Sequence, residues 1–138
     1  MNPLPKLKQV LLIDDEETVN FINRLMIERT SFAEEVLTRE TVDGAIEYLQ
    51  SNRSGAQPDL IFVDVNMPEK NGWDFIKSYR QLFPEGIPAP VIVLTSSLNP
   101  QDQQQANGNP EVVDYLSKPL SKEKLDKIKA EFWAYDAT

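Results

Sequence analysis

Residues 9–18 read QVLLIDDEET, and polarity changes abruptly inside this stretch. The apolar run from Val10 to Ile13 leads directly into a run of carboxylates from Asp14 to Glu17. A continuous apolar run is typical of a strand buried on both faces of a parallel sheet. Because ligands of open α/β sheets bind beyond the carboxyl ends of the strands, the acids after this run mark a candidate site.

Short apolar runs recur along the chain, and stretches of helical periodicity separate them. This alternation of strand and helix predicts an α/β fold: a doubly wound, five-stranded parallel sheet with right-handed crossovers and helices on both faces. The predicted strands are Gln9–Ile13, Glu35–Leu37, Leu60–Val63, Pro90–Leu94 and Val112–Leu116.

The helical stretches carry recognisable start signals and inward faces. Thr41, Asn99 and Ser121 are predicted N-caps, and Pro100 suits the first helical position. In contrast, the stretch PQDQQQANG offers only Ala106 for burial, so this helix should be short or weakly docked. The predicted inward faces are Val19, Ile22, Leu25 and Met26 in residues 15–29; Val42, Ala45, Ile46 and Leu49; Phe75, Ile76, Tyr79 and Leu82 in residues 72–83; and Leu125, Ile128 and Phe132.

The composition excludes several classes of function. The chain has 138 residues, a size typical of one domain, with a core expected over about residues 7–132 and short tails. A formal net charge of −8 argues against nucleic acid and anionic membranes as partners. No apolar run approaches a membrane span, and the start lacks a signal peptide, so a cytoplasmic location is expected. The absence of histidine removes Ser-His-Asp triads, HExxH zinc sites and any phosphohistidine on this chain.

Polar side chains follow the predicted strands at the ends where ligands bind. Asp14 and Asp15 follow the first strand, Asp64 the third, Thr95 the fourth and Lys118 the fifth. Two like charges 4 Å apart repel by about 4 kcal/mol at an effective dielectric constant near 20, so clustered carboxylates need a counter-charge. Oxygen ligands and incomplete protein coordination suit Mg²⁺, which we expect at this rim.

A phosphate-binding loop is the alternative use of the same architecture. Such a loop needs Gly, Ser or Thr after the first strand, so that backbone N–H groups cradle a phosphate. The acids at this position would repel free phosphate. The loop is therefore suited to a cation and, through it, to a transferred phosphoryl group.

Taken together, these motifs resemble the receiver domain of two-component response regulators, over about residues 7–132. The resemblance rests on Asp14-Asp15 after an apolar strand, DVNMPEKNG from Asp64 to Gly72, LTS at residues 94–96 and SKP at residues 117–119. It is closest to the single-domain, chemotaxis-regulator-like type with a flavodoxin-like (βα)5 fold. The order of the motifs along the chain makes the resemblance specific, although each motif alone is weak.

The resemblance implies a role for each matching residue. Asp64 is the phosphoacceptor, a carboxylate nucleophile that becomes an aspartyl phosphate. Asp15 is a direct ligand of Mg²⁺ and Asp14 a water-mediated one, while Asp64 and the backbone carbonyl of Asn66 complete the protein ligands. Lys118 pairs with Asp64 or the phosphoryl group.

The remaining motif residues are implied to form a switch. Thr95 donates its hydroxyl to a phosphoryl oxygen, and Tyr115 changes its burial when Thr95 moves. Gly72 lets the loop turn into the third helix. Tyr115 could equally be ordinary half-buried packing, and the lysines of the last helix (Lys122, Lys124, Lys127 and Lys129) form a solvated face.

The resemblance predicts a signalling domain whose only chemistry is its own phosphorylation and dephosphorylation. A histidine kinase or histidine phosphotransfer protein would supply the phosphoryl group, and the signal would leave by contact with a protein effector or relay partner. One alternative is a magnesium-dependent phosphatase, but Asn66 stands where such enzymes place a general acid. The other is an interaction module with a vestigial site. The polar fourth helix is a departure from the usual output surface.

Overall fold

The structure is a computed structural model and describes residues 6–96 and 99–132. Strands and helices alternate strictly along this part of the chain. The strands are β1 (Leu7–Ile13), β2 (Ala33–Arg39), β3 (Leu60–Val63), β4 (Val91–Thr95) and β5 (Val112–Ser117). The helices are α1 (Glu17–Arg29), α2 (Val42–Ser51), α3 (Gly72–Leu82), α4 (Pro100–Asn107) and α5 (Lys122–Phe132).

The strands form one parallel sheet in the order β2-β1-β3-β4-β5. The predicted fold class is therefore confirmed, and each predicted strand is present, with ends that move by two residues at most. The order reverses direction between β1 and β3, which makes their carboxyl ends the switch point where α/β sheets bind ligands. Residues 1–5 and 133–138, the predicted tails, lie outside the described residues.

Alternation along the buried strands divides the core between the two faces of the sheet. In β1, Val10 and Leu12 face one core cluster and Leu11 and Ile13 face the other. The first cluster is completed by α1 and α5, and the second by α2 and α3. Because both faces are covered, the central strands need apolar side chains at every position, as their sequences show.

The predicted N-caps are confirmed. Thr41 accepts a hydrogen bond from the Gly44 backbone at 2.9 Å, and Asn99 accepts one from the Asp102 backbone at 2.8 Å. Ser121 accepts one from Lys124 at 3.2 Å. These contacts satisfy backbone N–H groups that have no partner within their own helix. Helix α3 also begins with a capping box, which Asn71 and Asp74 form.

In α1, Met26 packs against the core as predicted, but the predicted inward position of Ile22 is wrong. Ile22 is 45% exposed, whereas Asn20 and Asn23 are buried together with Ile27. The two amides are buried because each has a backbone partner in a loop at the carboxyl edge of the sheet. A simple count of apolar spacing misses this, since it treats asparagine as a surface residue.

The polar character predicted for α4 is confirmed. Ala106 is its only buried residue, and the glutamines around it are exposed. Within the described ranges, no helix is both long and apolar enough to cross a membrane.

Candidate functional site

Two aspartates occupy equivalent positions at the switch point of the sheet. Ile13 and Val63 are paired in the register of β1 and β3, so the next residues, Asp14 and Asp64, lie side by side. Each of the two is only 4% exposed. Asp15, which follows Asp14, is half-buried at the rim. The predicted convergence of the three carboxylates is thus what the structure shows.

The two buried carboxylates have matching hydrogen bonds. Oδ1 of Asp14 accepts from the Glu16 backbone at 2.9 Å, and Oδ1 of Asp64 accepts from the Asn66 backbone at 3.0 Å. Their Oδ2 atoms both face the amine of Lys118, at 2.5 Å from Asp14 and 3.0 Å from Asp64. One lysine is therefore shared between two carboxylates.

This sharing has an electrostatic consequence. Burial raises the pKa of Asp14 above its ordinary value, even though Lys118 and the Glu16 N–H act in the opposite direction. Burial alone would lower the pKa of Lys118, but its hydrogen bonds to Asp14 and Asp64 outweigh this effect and raise it. The amine therefore stays charged, while the negative charge around it remains incompletely balanced.

The acid cluster has the donor set of a hard-cation site. One carboxylate oxygen from each of Asp14, Asp15 and Asp64 can be chosen so that all lie within 4.8 Å of one another. Against these three acids, Lys118 supplies one positive charge, so a divalent ion would complete the balance. Carboxylate and carbonyl oxygens are the ligands that Mg²⁺ prefers, and the residues present fit it.

Thr95 and Asn66 meet beside this cluster. Thr95 ends β4 and is fully buried. The side-chain amide of Asn66 donates a hydrogen bond to the Thr95 hydroxyl at 3.1 Å. The side chain of Asn66 thus links the loop after β3 to the end of β4, a contact that the sequence did not indicate.

Tyr115 lies on β5 next to the start of α4. Its hydroxyl is buried and lies near the Asn99 backbone, but within the described ranges it forms no hydrogen bond of normal geometry. Burial, and then the charge of Asp102, raise the pKa of this tyrosine. The ring packs against the core cluster that α2 and α3 complete, and the hydroxyl lies near Asn99 and Asp102 at the start of α4.

Comparison with known proteins identifies the family to which the chain belongs. Residues 10–129 match the family model described as "Response regulator receiver domain". The chain belongs to this family. The resemblance deduced from the motifs is therefore confirmed, and the chain carries a signalling domain rather than a typical enzyme.

Similar proteins come from distant organisms. The chain is 34% identical over 128 residues to the probable C4-dicarboxylate response regulator DctR of Halalkalibacterium halodurans, covering 93% of this chain and 51% of that one. It is 31% identical to the two-component response regulator ORR41 of Oryza sativa, over 92% of this chain and 95% of the other. A two-component response regulator from Cytophaga hutchinsonii superposes with a TM-score of 0.85 at 36% identity, covering 92% and 97% of the two chains. The receiver domain thus spans about half the length of the first relative and nearly all of the second.

Two asparagines that are not among the predicted site residues of this receiver domain support the site directly. Asn20 donates to the backbone carbonyl of Asp14 at 2.9 Å, and Asn23 accepts from the backbone of Leu120 at 3.0 Å. Both belong to α1, which therefore holds the loop after β1 and the loop after β5. The sequence signal that could have found them is their spacing, since Asn20 and Asn23 are three residues apart and therefore share one face of the helix.

Gly72 lies where the loop after β3 turns into α3, and the backbone around it leaves no room for a side chain. A Cβ added at this position would lie 2.7 Å from the Asp64 carbonyl oxygen and 2.9 Å from the Val65 Cα. Both are backbone atoms, which cannot move without displacing the loop after β3. The glycine therefore permits the first turn of α3 to pack directly against the backbone of Asp64 and Val65.

Proposed function

We propose that Asp64 accepts a phosphoryl group from a phosphohistidine on a histidine kinase or phosphotransfer protein. The observation that carries the proposal is the arrangement of Asp64: buried, with Oδ1 held by the Asn66 backbone and Oδ2 beside the amine of Lys118. Receiver domains interact with such donor proteins. Since these 138 residues contain no histidine, the phosphohistidine lies outside this sequence.

The proposed transfer exchanges one bond to phosphorus for another. A carboxylate oxygen of Asp64 attacks the phosphorus, the phosphorus–nitrogen bond of the donor breaks, and its electron pair returns to the imidazole. Lys118 is placed to pair with the charge on the phosphoryl oxygens. Asp14, Asp15, Asp64 and the backbone carbonyl of Asn66 would hold Mg²⁺, which when bound neutralises charge on the transferred group.

We further propose that phosphorylation acts through Thr95 and Tyr115. To donate to a phosphoryl oxygen, the Thr95 hydroxyl must turn toward Asp64, which alters its contact with Asn66. The Tyr115 hydroxyl is buried beside the first turn of α4, so a shift of that helix would change its surroundings. Output would then pass by protein–protein contact to an effector or to the next member of a relay.

The polar nature of α4 supports the last step. With Ala106 as its single buried residue, the helix has little apolar contact to oppose a shift. Amide hydrogen exchange over residues 99–110 should therefore change when Asp64 is phosphorylated. Unchanged exchange in this region would contradict the switch while leaving the phosphoacceptor role intact.

The phosphoacceptor role is tested by intact-mass analysis after incubation with acetyl phosphate. Wild type should gain one phosphoryl group when Mg²⁺ is present and none when it is removed by chelation. Asp64→Asn should gain none. Asp126→Asn, which changes an exposed carboxylate on α5, is the matched control and should behave as wild type. Equal uptake by Asp64→Asn and wild type would overturn the assignment.

A further inference from the structure

The loop that carries Lys118 is fixed at every residue from Ser117 to Leu120. The Lys118 backbone N–H donates to the Thr95 carbonyl at 2.9 Å, which continues the pairing of β4 with β5. The Leu120 N–H donates to Oδ1 of Asn23 at 3.0 Å. The carbonyls of the two remaining residues, Ser117 and Pro119, both accept hydrogen bonds from the same side chain.

That side chain is Lys124, from the first turn of α5. Its amine donates to the Ser117 carbonyl at 2.7 Å, to the Ser117 hydroxyl at 3.2 Å and to the Pro119 carbonyl at 3.0 Å. These acceptors flank Lys118 on both sides in the chain. The prediction of a solvated lysine face is therefore wrong for Lys124, and it is also wrong for Lys129, which is buried over the Phe32 ring. Lys122 and Lys127 on the same helix are exposed, as predicted.

We infer that Lys124 and Asn23 are positioning residues that aim the amine of Lys118 at Asp14 and Asp64. Lys118 ends in a flexible four-carbon stem, so the position of its amine depends on where its backbone is held. The Lys118 side chain is 8% exposed and its amine lies 2.5 Å and 3.0 Å from the two carboxylates, so a small displacement of the loop breaks at least one pair. Asn23 holds the loop from α1 and Lys124 holds it from α5.

The expected effect on phosphoryl uptake rests on the proposed function. The effect on the position of the Lys118 amine does not. A misplaced lysine should slow phosphoryl uptake by Asp64, because groups that orient reacting side chains commonly contribute about 10-fold or more to activity. The geometric part concerns only how well the Lys118 amine is buried and paired. The two parts therefore need separate measurements.

The geometric part is tested by the rate at which an amine-reactive acetylating reagent modifies Lys118 in the intact protein, measured by peptide mass spectrometry. In wild type the amine is buried and paired, so modification should be slow. Lys124→Met removes the three hydrogen bonds but retains much of the side-chain stem, and should increase the rate about 10-fold. Lys124→Arg, which can still donate to both carbonyls, should restore slow modification.

Lys122→Met is the matched control. It removes a lysine from the same first turn of α5, so its effect on the helix dipole is similar, but Lys122 contacts only Asp126 among the described residues. Modification of Lys118 in this variant should equal that in wild type. Lys129, which is also buried, reports general loosening and should remain slowly modified in all variants.

Asn23→Leu provides a second test from α1, although it leaves a buried N–H without its acceptor. If this variant is too unstable to study, the Lys124 variants decide the matter, since Lys124 is only partly buried. Unchanged modification of Lys118 in Lys124→Met would overturn the inference. So would an equal increase in Lys122→Met, because the effect would then belong to the helix and not to the loop contacts.

The functional part is the initial rate of phosphoryl uptake from acetyl phosphate at saturating Mg²⁺. Lys124→Met should be about 10-fold slower than wild type, and Lys122→Met should be unchanged. A wild type that takes up no phosphoryl group from acetyl phosphate would count against the proposed function alone, because the modification assay decides the positioning role without it. Normal uptake in Lys124→Met together with fast modification would show that the loop moves without affecting transfer, and would overturn the consequence claimed for Lys124.

Discussion

Helices α3 and α4 follow neighbouring strands of the same sheet, but they are held by different means. Helix α3 buries Phe75, Ile76 and Tyr79, and its first residue packs against the Asp64 backbone. Helix α4 buries Ala106 alone. The helix that packs against Asp64 is thus part of the core, whereas the helix after Thr95 has little apolar contact and forms polar contacts instead. The proposed function requires this difference, since the site around Asp64 must stay fixed while the output region moves.

Side chains link the two helices at both ends. Near their starts, Trp73 Nε1 donates to Oδ1 of Asp102 at 3.2 Å. Near their ends, Arg80 forms hydrogen bonds with Glu111 and Asn109 in the loop after α4. These polar links supply part of the attachment that α4 lacks in apolar contacts, and polar links are easier to break and reform than a packed core.

The largest predicted difference is in core packing. Phe75 is fully buried and stacks on Tyr79 with ring centroids 5.4 Å apart. Phe75→Ala should lower the free energy of unfolding by about 3–5 kcal/mol, because it removes a large side chain and leaves a cavity. Ala106→Gly, the corresponding change in α4, should cost about 1 kcal/mol. Urea unfolding measures both, and equal losses would show that α4 is as much a part of the core as α3.

Substitutions of Gly72 and Gly108 compare the packing of α3 and α4 in a second way. Gly72→Ala places a Cβ 2.7 Å from a backbone oxygen and should cost about 1–3 kcal/mol. Gly108 closes α4 in a right-handed helical conformation, and a Cβ there meets backbone oxygens at 3.6 Å or more. Gly108→Ala should therefore raise stability by about 0.4–1 kcal/mol through a less flexible unfolded chain. Thermal unfolding of the two variants gives the sign of each effect, and a destabilised Gly108→Ala would contradict the open space seen at that position.

The difference between α3 and α4 was largely predictable from the sequence. Phe75, Ile76 and Tyr79 recur at helical spacing, and the buried face of α3 is the predicted one. The stretch PQDQQQANG has one small apolar residue, which is the residue that the structure buries. Apolar periodicity works here because burial of these residues depends on their side chains alone.

Prediction failed where the environment of a side chain depends on a partner outside its own helix. Asn23 is buried because the Leu120 backbone donates to it, and Lys124 is engaged because two carbonyls of the preceding loop face its amine. Neither partner can be inferred from spacing along one helix. The acid cluster was predictable for the opposite reason: residues at the carboxyl ends of parallel strands meet whatever the details of the helices.

The Trp73–Asp102 link allows a test of how α4 is held. Trp73→Phe keeps an apolar ring but removes the N–H donor, which leaves Asp102 without this partner. We expect a loss of about 1 kcal/mol in the free energy of unfolding and faster amide exchange over residues 100–107. Tyr48→Phe removes a comparable hydrogen bond, to Gln9 at 2.9 Å, and should leave exchange in α4 unchanged. Equal exchange in all three proteins would mean that the tryptophan does not hold α4.

The smallest predicted effect concerns the other link, and it depends on pH. The hydrogen bond from Arg80 holds the pKa of Glu111 below its ordinary value, so the folded state favours the ionised carboxylate. Its stabilisation is therefore complete above the ordinary pKa of 4.5 and is lost as the pH falls through the lowered value. At pH 7, Glu111→Gln should be less stable than wild type by about 1 kcal/mol or less, since Arg80 is half-exposed and salt screens the pair. Glu131→Gln, which alters an exposed pair 3.8 Å apart on α5, is the control and should change stability by less. The difference between wild type and Glu111→Gln should disappear in acid, and a difference that persisted there would assign the effect to packing of Glu111 and not to its charge.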